Sequence, residues 1–196
     1  MRFLCILACS LLTSCALLHS YYELSLYDVD SPFDKEVKII EIQKPHKESG
    51  GHGVASYVGG QYLYEDDVIS ILWQYDIMEG NKFHFTLQNV SEYTIRIPWN
   101  EMLYTDIDRN VSSVDNRGYS DNFPISIAPS ATTLSGTVYP NIGYSTLFPQ
   151  YSSMNKFHKS ETLIGRRVQI YFPIEMNGKT FNYIFVFKIE DVAVEY

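Results

Sequence analysis

From residue 69 the chain alternates. Ile69, Ile71, Trp73 and Tyr75 are separated by Ser70, Leu72 and Gln74. Side chains two apart point to one face of an extended strand, so this pattern predicts a strand with one buried and one wetter face. After Glu79-Gly80-Asn81, a turn signal, Phe83, Phe85 and Leu87 alternate with Lys82, His84, Thr86 and Gln88. The two runs predict a hairpin. Ile95, Ile97 and Trp99 resume the period, as do Val168, Ile170 and Phe172. Phe181, Tyr183, Phe185, Phe187 and Ile189 form a long last strand whose alternate positions Ile184 and Val186 are also apolar. Burial on both sides is expected in its middle. The chain holds 16 Tyr and 11 Phe, residues that favour strands, and no segment shows a helical period over more than two turns. Seven to nine strands at this spacing predict an all-β, two-sheet β-sandwich.

Breaks in the alternation locate the turns. Asn89-Val90-Ser91-Glu92 interrupts one run, and Asp108-Arg109-Asn110 predicts a tight hairpin between residues 103–107 and 111–114. Asn177-Gly178 is the strongest hairpin signal in the chain. Pro98 removes a ladder donor, so its strand is expected to leave the sheet or lie at an edge there. Residues 124–129 read as a short strand bounded by prolines, and residues 132–139 as another. Residues 115–124 and 140–162 read as loops. The second is long enough to be either functional or the host of an unrecognised element.

The amino end has a different character. Arg2 precedes an apolar run from Phe3 to Leu12, about ten residues long, which is a secretory signal too short to span a bilayer. The run ends in Leu12-Thr13-Ser14-Cys15, which resembles the bacterial lipobox: an aliphatic residue, two small ones and the lipidated cysteine. Small residues admit the peptidase, and a thiol can carry a thioether-linked lipid. An ordinary signal peptide cut nearby is the plainer alternative. Removal of residues 1–14 takes Cys5, Cys9 and Arg2, which leaves Cys15 as the single cysteine and lowers the net charge of −8 by one more. If Cys15 carries lipid, disulfides, cysteine nucleophiles and cysteine metal clusters are excluded. Several acyl chains anchor firmly where one is marginal. Ala16, where inner-membrane retention would call for Asp, makes the resemblance imply the outer membrane, with a periplasm-facing domain.

This divides the chain into a signal peptide over 1–14, a lipid anchor, tether and N-terminal arm over 15–61, and a sandwich domain over 62–196. Residues 37–42 (VKIIEI) suit one strand, but five glycines between 50 and 60 disfavour regular structure. The arm reads either as a mobile spacer or as a segment ordered across the sandwich. Residues 83–99 (FHFTLQNVSEYTIRIPW) resemble immunoglobulin-like domains of uncharacterised bacterial lipoproteins, chiefly from Bacteroidetes-type organisms. In these a strand ends in an Asn-x-Ser turn and the next carries I-x-I-x-W. Tyr64-Glu65-Asp66-Asp67, residues 125–129 and the terminal hairpin are also similar, so the likeness spans roughly 62–190. It implies an immunoglobulin-like β-sandwich in the cell envelope. It carries no activity and no site residues.

Chemistry is sparse in the sequence. His19, His46, His52, His84 and His158 sit in no catalytic signature, and no cofactor motif is present. His46 and His52 flank the glycine segment with Glu48 between them, but matched metal ligands do not follow. Glu65-Asp66-Asp67 reads as the solvated entry of a strand. Arg166-Arg167 reads as charge covering a sheet edge, with contact to an anionic polymer as the alternative. Asn89-Val90-Ser91 and Asn110-Val111-Ser112 match the glycosylation pattern and read as turn chemistry. An acidic chain argues against nucleic acid as partner. Aromatics in loops, namely Tyr119, Phe123, Tyr144, Phe148 and Tyr151 with Tyr139 and Phe157, are unexplained by alternation. They suit either a glycan or protein ligand or a satellite cluster over the sandwich end. The function expected is a lipid-anchored, non-enzymatic interaction or accessory module of the envelope. Carbohydrate binding through the loop aromatics is the alternative. An envelope hydrolase, which needs converging carboxylates or a histidine in a cleft, is the remote one.

Overall fold

The structure, a computed structural model, describes residues 19–33, 38–49, 55–76, 82–115, 125–130, 133–140 and 163–195. The strands in chain order are β1 (His19–Asp30), β2 (Lys38–Gln43), β3 (His46–Ser49), β4 (Ala55–Val58) and β5 (Gln61–Glu65). Then come β6 (Ile69–Asp76), β7 (Lys82–Asn89), β8 (Ile95–Ile97), β9 (Leu103–Thr105) and β10 (Val111–Asp115). The last are β11 (Ile125–Ile127), β12 (Thr133–Pro140), β13 (Arg167–Met176) and β14 (Lys179–Glu195). The protein is the all-β two-sheet sandwich that the alternation predicts. One sheet runs β1-β14-β13-β9-β10, with β8 and β11 continuing it, and the other runs β12-β7-β6-β5-β2. All pairings are antiparallel, and the end of β10 crosses to β12 through Val114–Pro140 and Asp115–Tyr139, joining the sheets along one side. The β3–β4 hairpin stands apart.

Alternation places the core as expected. Trp73 is fully buried at the centre, its ring centroid 5.0 Å from Phe185, 5.3 Å from Phe85, 5.7 Å from Phe187 and 6.1 Å from Phe172. Two of these rings come from β14, so the last strand supplies half the cage. Gly136 of β12 is required by this packing, because a Cβ there would lie 2.5 Å from the Phe85 ring and 2.9 Å from that of Trp99. Val186, on the outer side of β14, is only 7% exposed, in line with two-sided burial.

The turns follow their local chemistry. Asn177 and Gly178 take φ of 53° and 71°, the left-handed pair that a two-residue hairpin needs. Asp106 organises the Asp108-Arg109-Asn110 turn by accepting from the backbone N–H groups of Asp108 and Asn110, each at 2.8 Å. At Pro98 the chain does leave the sheet. A 3₁₀ turn over Trp99–Glu101 separates β8 from β9, yet both pair with β13, so they are one strand interrupted.

The arm assigned to 15–61 behaves differently from a spacer over its described residues. From His19, β1 pairs along its whole length with β14, and β2 pairs with β5. Leu24, Leu26 and Val29 enter the core. The sandwich therefore begins at His19, well before residue 62. Alternation across Leu24, Leu26 and Val29 is hidden in the sequence because register shifts at Glu23/Leu24 and Leu26/Asp28 break the period.

Candidate functional site

Cys15, Tyr119, Phe123, Tyr144, Phe148 and Tyr151 all lie outside the described residues, as does Phe157. Four of these aromatics fall in sequence between Pro140 and Leu163, the described residues on either side. The Leu163 carbonyl accepts from Arg166 N–H at 3.0 Å, at the end where β13 begins.

Among the described residues, the densest polar constellation centres on Asp66. The short link between β5 and β6 folds back so that Oδ1 accepts from the backbone N–H of Val68 at 2.7 Å and of Ile69 at 2.8 Å. Oδ2 accepts from the Tyr64 hydroxyl at 2.8 Å, the Tyr183 hydroxyl at 2.9 Å and the Ser31 hydroxyl at 3.5 Å. Asp66 thus ties β5 and β6 of one sheet to β14 of the other and to the chain after β1. Phe33 closes over the cluster, stacked on Phe181 at 5.0 Å. Burial, and then the Asp66 charge, push the Tyr183 hydroxyl far above its ordinary value, and burial raises that of Tyr64. Both phenols stay protonated and donate. A carboxylate holding five donors is a clasp, since acting as a base would require it to release one. The solvated reading of the acidic triplet is therefore corrected at Asp66. Asp67 is exposed, and half-buried Glu65 accepts from Ser70.

A second constellation lies on the outer face of the β1-β14-β13 sheet. The bulge between Leu26 and Asp28 turns Tyr27 outward, 47% exposed. The Arg167 guanidinium lies 4.2 Å from its ring centroid, and the Lys188 ammonium 5.5 Å away. Arg167 and Lys188 are cross-strand partners, and Lys188 also faces Ser25. Lys188 pairs with Glu190 at 2.9 Å. An accepted hydrogen bond from Ser25 and the bond from Lys188 hold the Glu190 carboxyl below its usual range. Arg166 pairs with Asp108 at 3.2 Å. The two arginines therefore lie at the start of an internal strand, and the sheet-edge reading is corrected. An exposed aromatic ring backed by cations can stack a sugar ring and neutralise a carboxylate on it. The sequence hides this patch because Tyr27 belongs to the apparent tether.

The remaining candidates are engaged locally. Asn89 is fully buried, with its Nδ2 directed at the carbonyls of Tyr93, Ile127 and Ala128 at 2.7–3.1 Å, while Oδ1 accepts from Ser91 N–H and hydroxyl. This is turn chemistry, and it leaves no amide available for a glycan in the folded protein. His84 Nδ1 lies 2.9 Å from the Thr137 hydroxyl across the β7–β12 pair. His46 Nδ1 lies 3.2 Å from the Lys44 carbonyl, and His52 is outside the described residues. No group of three metal-ligating side chains occurs among the described residues. Comparison with protein-family models, curated proteins and solved structures finds no match to this chain.

Proposed function

We propose that the chain is a lipid-anchored protein of the bacterial cell envelope whose sandwich serves as a non-enzymatic interaction module. The observation that carries this reading is Leu12-Thr13-Ser14-Cys15 at the end of a short apolar run, a few residues before a fully β-sheet domain. It is supported by the way Asp66, Asn89 and His84 are spent on turns and strand pairing. Labelling cells with radioactive palmitate tests it. The wild type should take up label and Cys15→Ala should take up none; equal incorporation would sink the anchor.

Carbohydrate binding is the second reading, and Tyr27 with Arg167 and Lys188 now favours it beside the loop aromatics Tyr119, Phe123, Tyr144, Phe148 and Tyr151. The cations select acidic sugars. Tyr27→Ala should weaken binding of uronate-containing oligosaccharides about tenfold or more, since a stacked ring and its cation contribute about 1–2 kcal/mol. Calorimetry that finds no binding by the wild type would end this reading.

A further inference from the structure

The β1–β14 pairing extends past the start of β13. The partnership of β14 with β13 ends at Lys188–Arg167, whereas its partnership with β1 continues to Glu195–His19. Residues 191–195 of β14 and 19–23 of β1 therefore form a two-stranded ribbon about 15 Å long beyond the core pair Leu24–Ile189. The ribbon is continuous with the sheet through β14. At its base, Gly165 N–H donates to the Ile189 carbonyl at 2.8 Å and Ile189 N–H to the Arg166 carbonyl at 2.9 Å, so it is clamped to the body.

Only Ala16, Leu17 and Leu18 separate Cys15 from His19. Four peptide links reach at most about 14 Å. We infer that the β1–β14 ribbon is a foot standing on the bilayer surface, which holds the sandwich close to the membrane with the Asn177-Gly178 turn as its outermost point. The inference rests on the reading that Cys15 is lipidated. The ribbon tip and the turn are about 50 Å apart along β14, so every surface of the described domain lies within roughly 65 Å of the lipid headgroups. The Tyr27 patch sits at the base of the foot and so faces a partner close to the membrane. The net negative charge of the chain gives it no overall attraction to an anionic bilayer, which opposes lying flat.

Energy transfer tests the orientation. The mature lipidated chain, purified from membranes, carries a single introduced thiol because Cys5 and Cys9 leave with residues 1–14 and the Cys15 sulfur is held in the thioether to lipid. Ile164→Cys reports from the base of the foot, where Ile164 is exposed, and Lys179→Cys reports from the far turn. Each is labelled with a donor and reconstituted into phosphatidylethanolamine–phosphatidylglycerol vesicles containing an acceptor lipid. Transfer should be several-fold greater from position 164 than from 179. Inserting about twenty Gly/Ser residues between Leu18 and His19 should lower both signals and narrow their ratio, because such a linker spans about 25 Å. Equal transfer from the two positions, or no response to the insertion, would overturn the foot while leaving the anchor intact. A chain that fails to float with the vesicles and takes up no palmitate would overturn the anchor reading, and the foot with it.

Discussion

Asp66 shows how much one side chain can hold. Its two oxygens receive two backbone and three hydroxyl donors, and Tyr183 lies 117 residues away in sequence. Removing the carboxylate would orphan two largely buried phenols and two turn amides, each costing about 1–3 kcal/mol when left unsatisfied. Asp66→Ala should therefore lower stability by about 4 kcal/mol or more in urea unfolding. Tyr183→Phe, which deletes one donor and keeps the ring, should cost about 1 kcal/mol. A smaller loss for Asp66→Ala than for Tyr183→Phe would contradict the clasp. None of this is legible from Glu65-Asp66-Asp67, which looks like an ordinary wet strand entry, because the tyrosine partner arrives from a distant strand. Asn89 is the opposite case. Its partners Ser91 and Tyr93 are neighbours in the chain, so the Asn-Val-Ser turn can be read directly.

At the level of elements, periodicity revealed the long strands of regular register and lost β1, whose register slips. The β6–β7 hairpin and β13–β14 were legible because alternation runs unbroken through Trp73, Phe85, Phe172 and Phe185. β1 was not, since two shifts put its inward residues at uneven spacing. The same ribbon sets Glu23 directly opposite Asp191. Burial, and then the Asp191 charge, raise the Glu23 carboxyl above its ordinary 4.5. Its charged form is thus less favourable in the folded state than in the unfolded one. The penalty is full above the folded value and vanishes as pH falls below the unfolded value. Glu23→Gln should stabilise the protein by about 0.5 kcal/mol at neutral pH, and the gain should disappear well below pH 4.5. Thermal melts of both proteins across that range would check it, and a gain that grew on acidification would refute the assignment.

Across the whole molecule, the sandwich itself was readable because its core is a property of many residues at once, and no single misread turn alters it. Its extent was less so. The glycines at 50, 51, 53, 59 and 60 made the first third look unstructured. Yet Gly59 lies where β5 begins, and a Cβ there would come within 1.7 Å of the Tyr75 carbonyl oxygen. That glycine marks close backbone packing. The position of β14 has a temporal consequence. It lies between β1 and β13, it carries Tyr183, Phe185 and Phe187, and Ser25 meets Glu190 at a sequence separation of 165. Loop closure over that separation is slow, and among the described residues β1 pairs only with β14. A growing chain therefore cannot pair β1 with β14 until residues 179–195 have been made. Late assembly of this kind keeps a polypeptide threadable, the state in which an unfolded chain can still be passed across a membrane before its sheet closes.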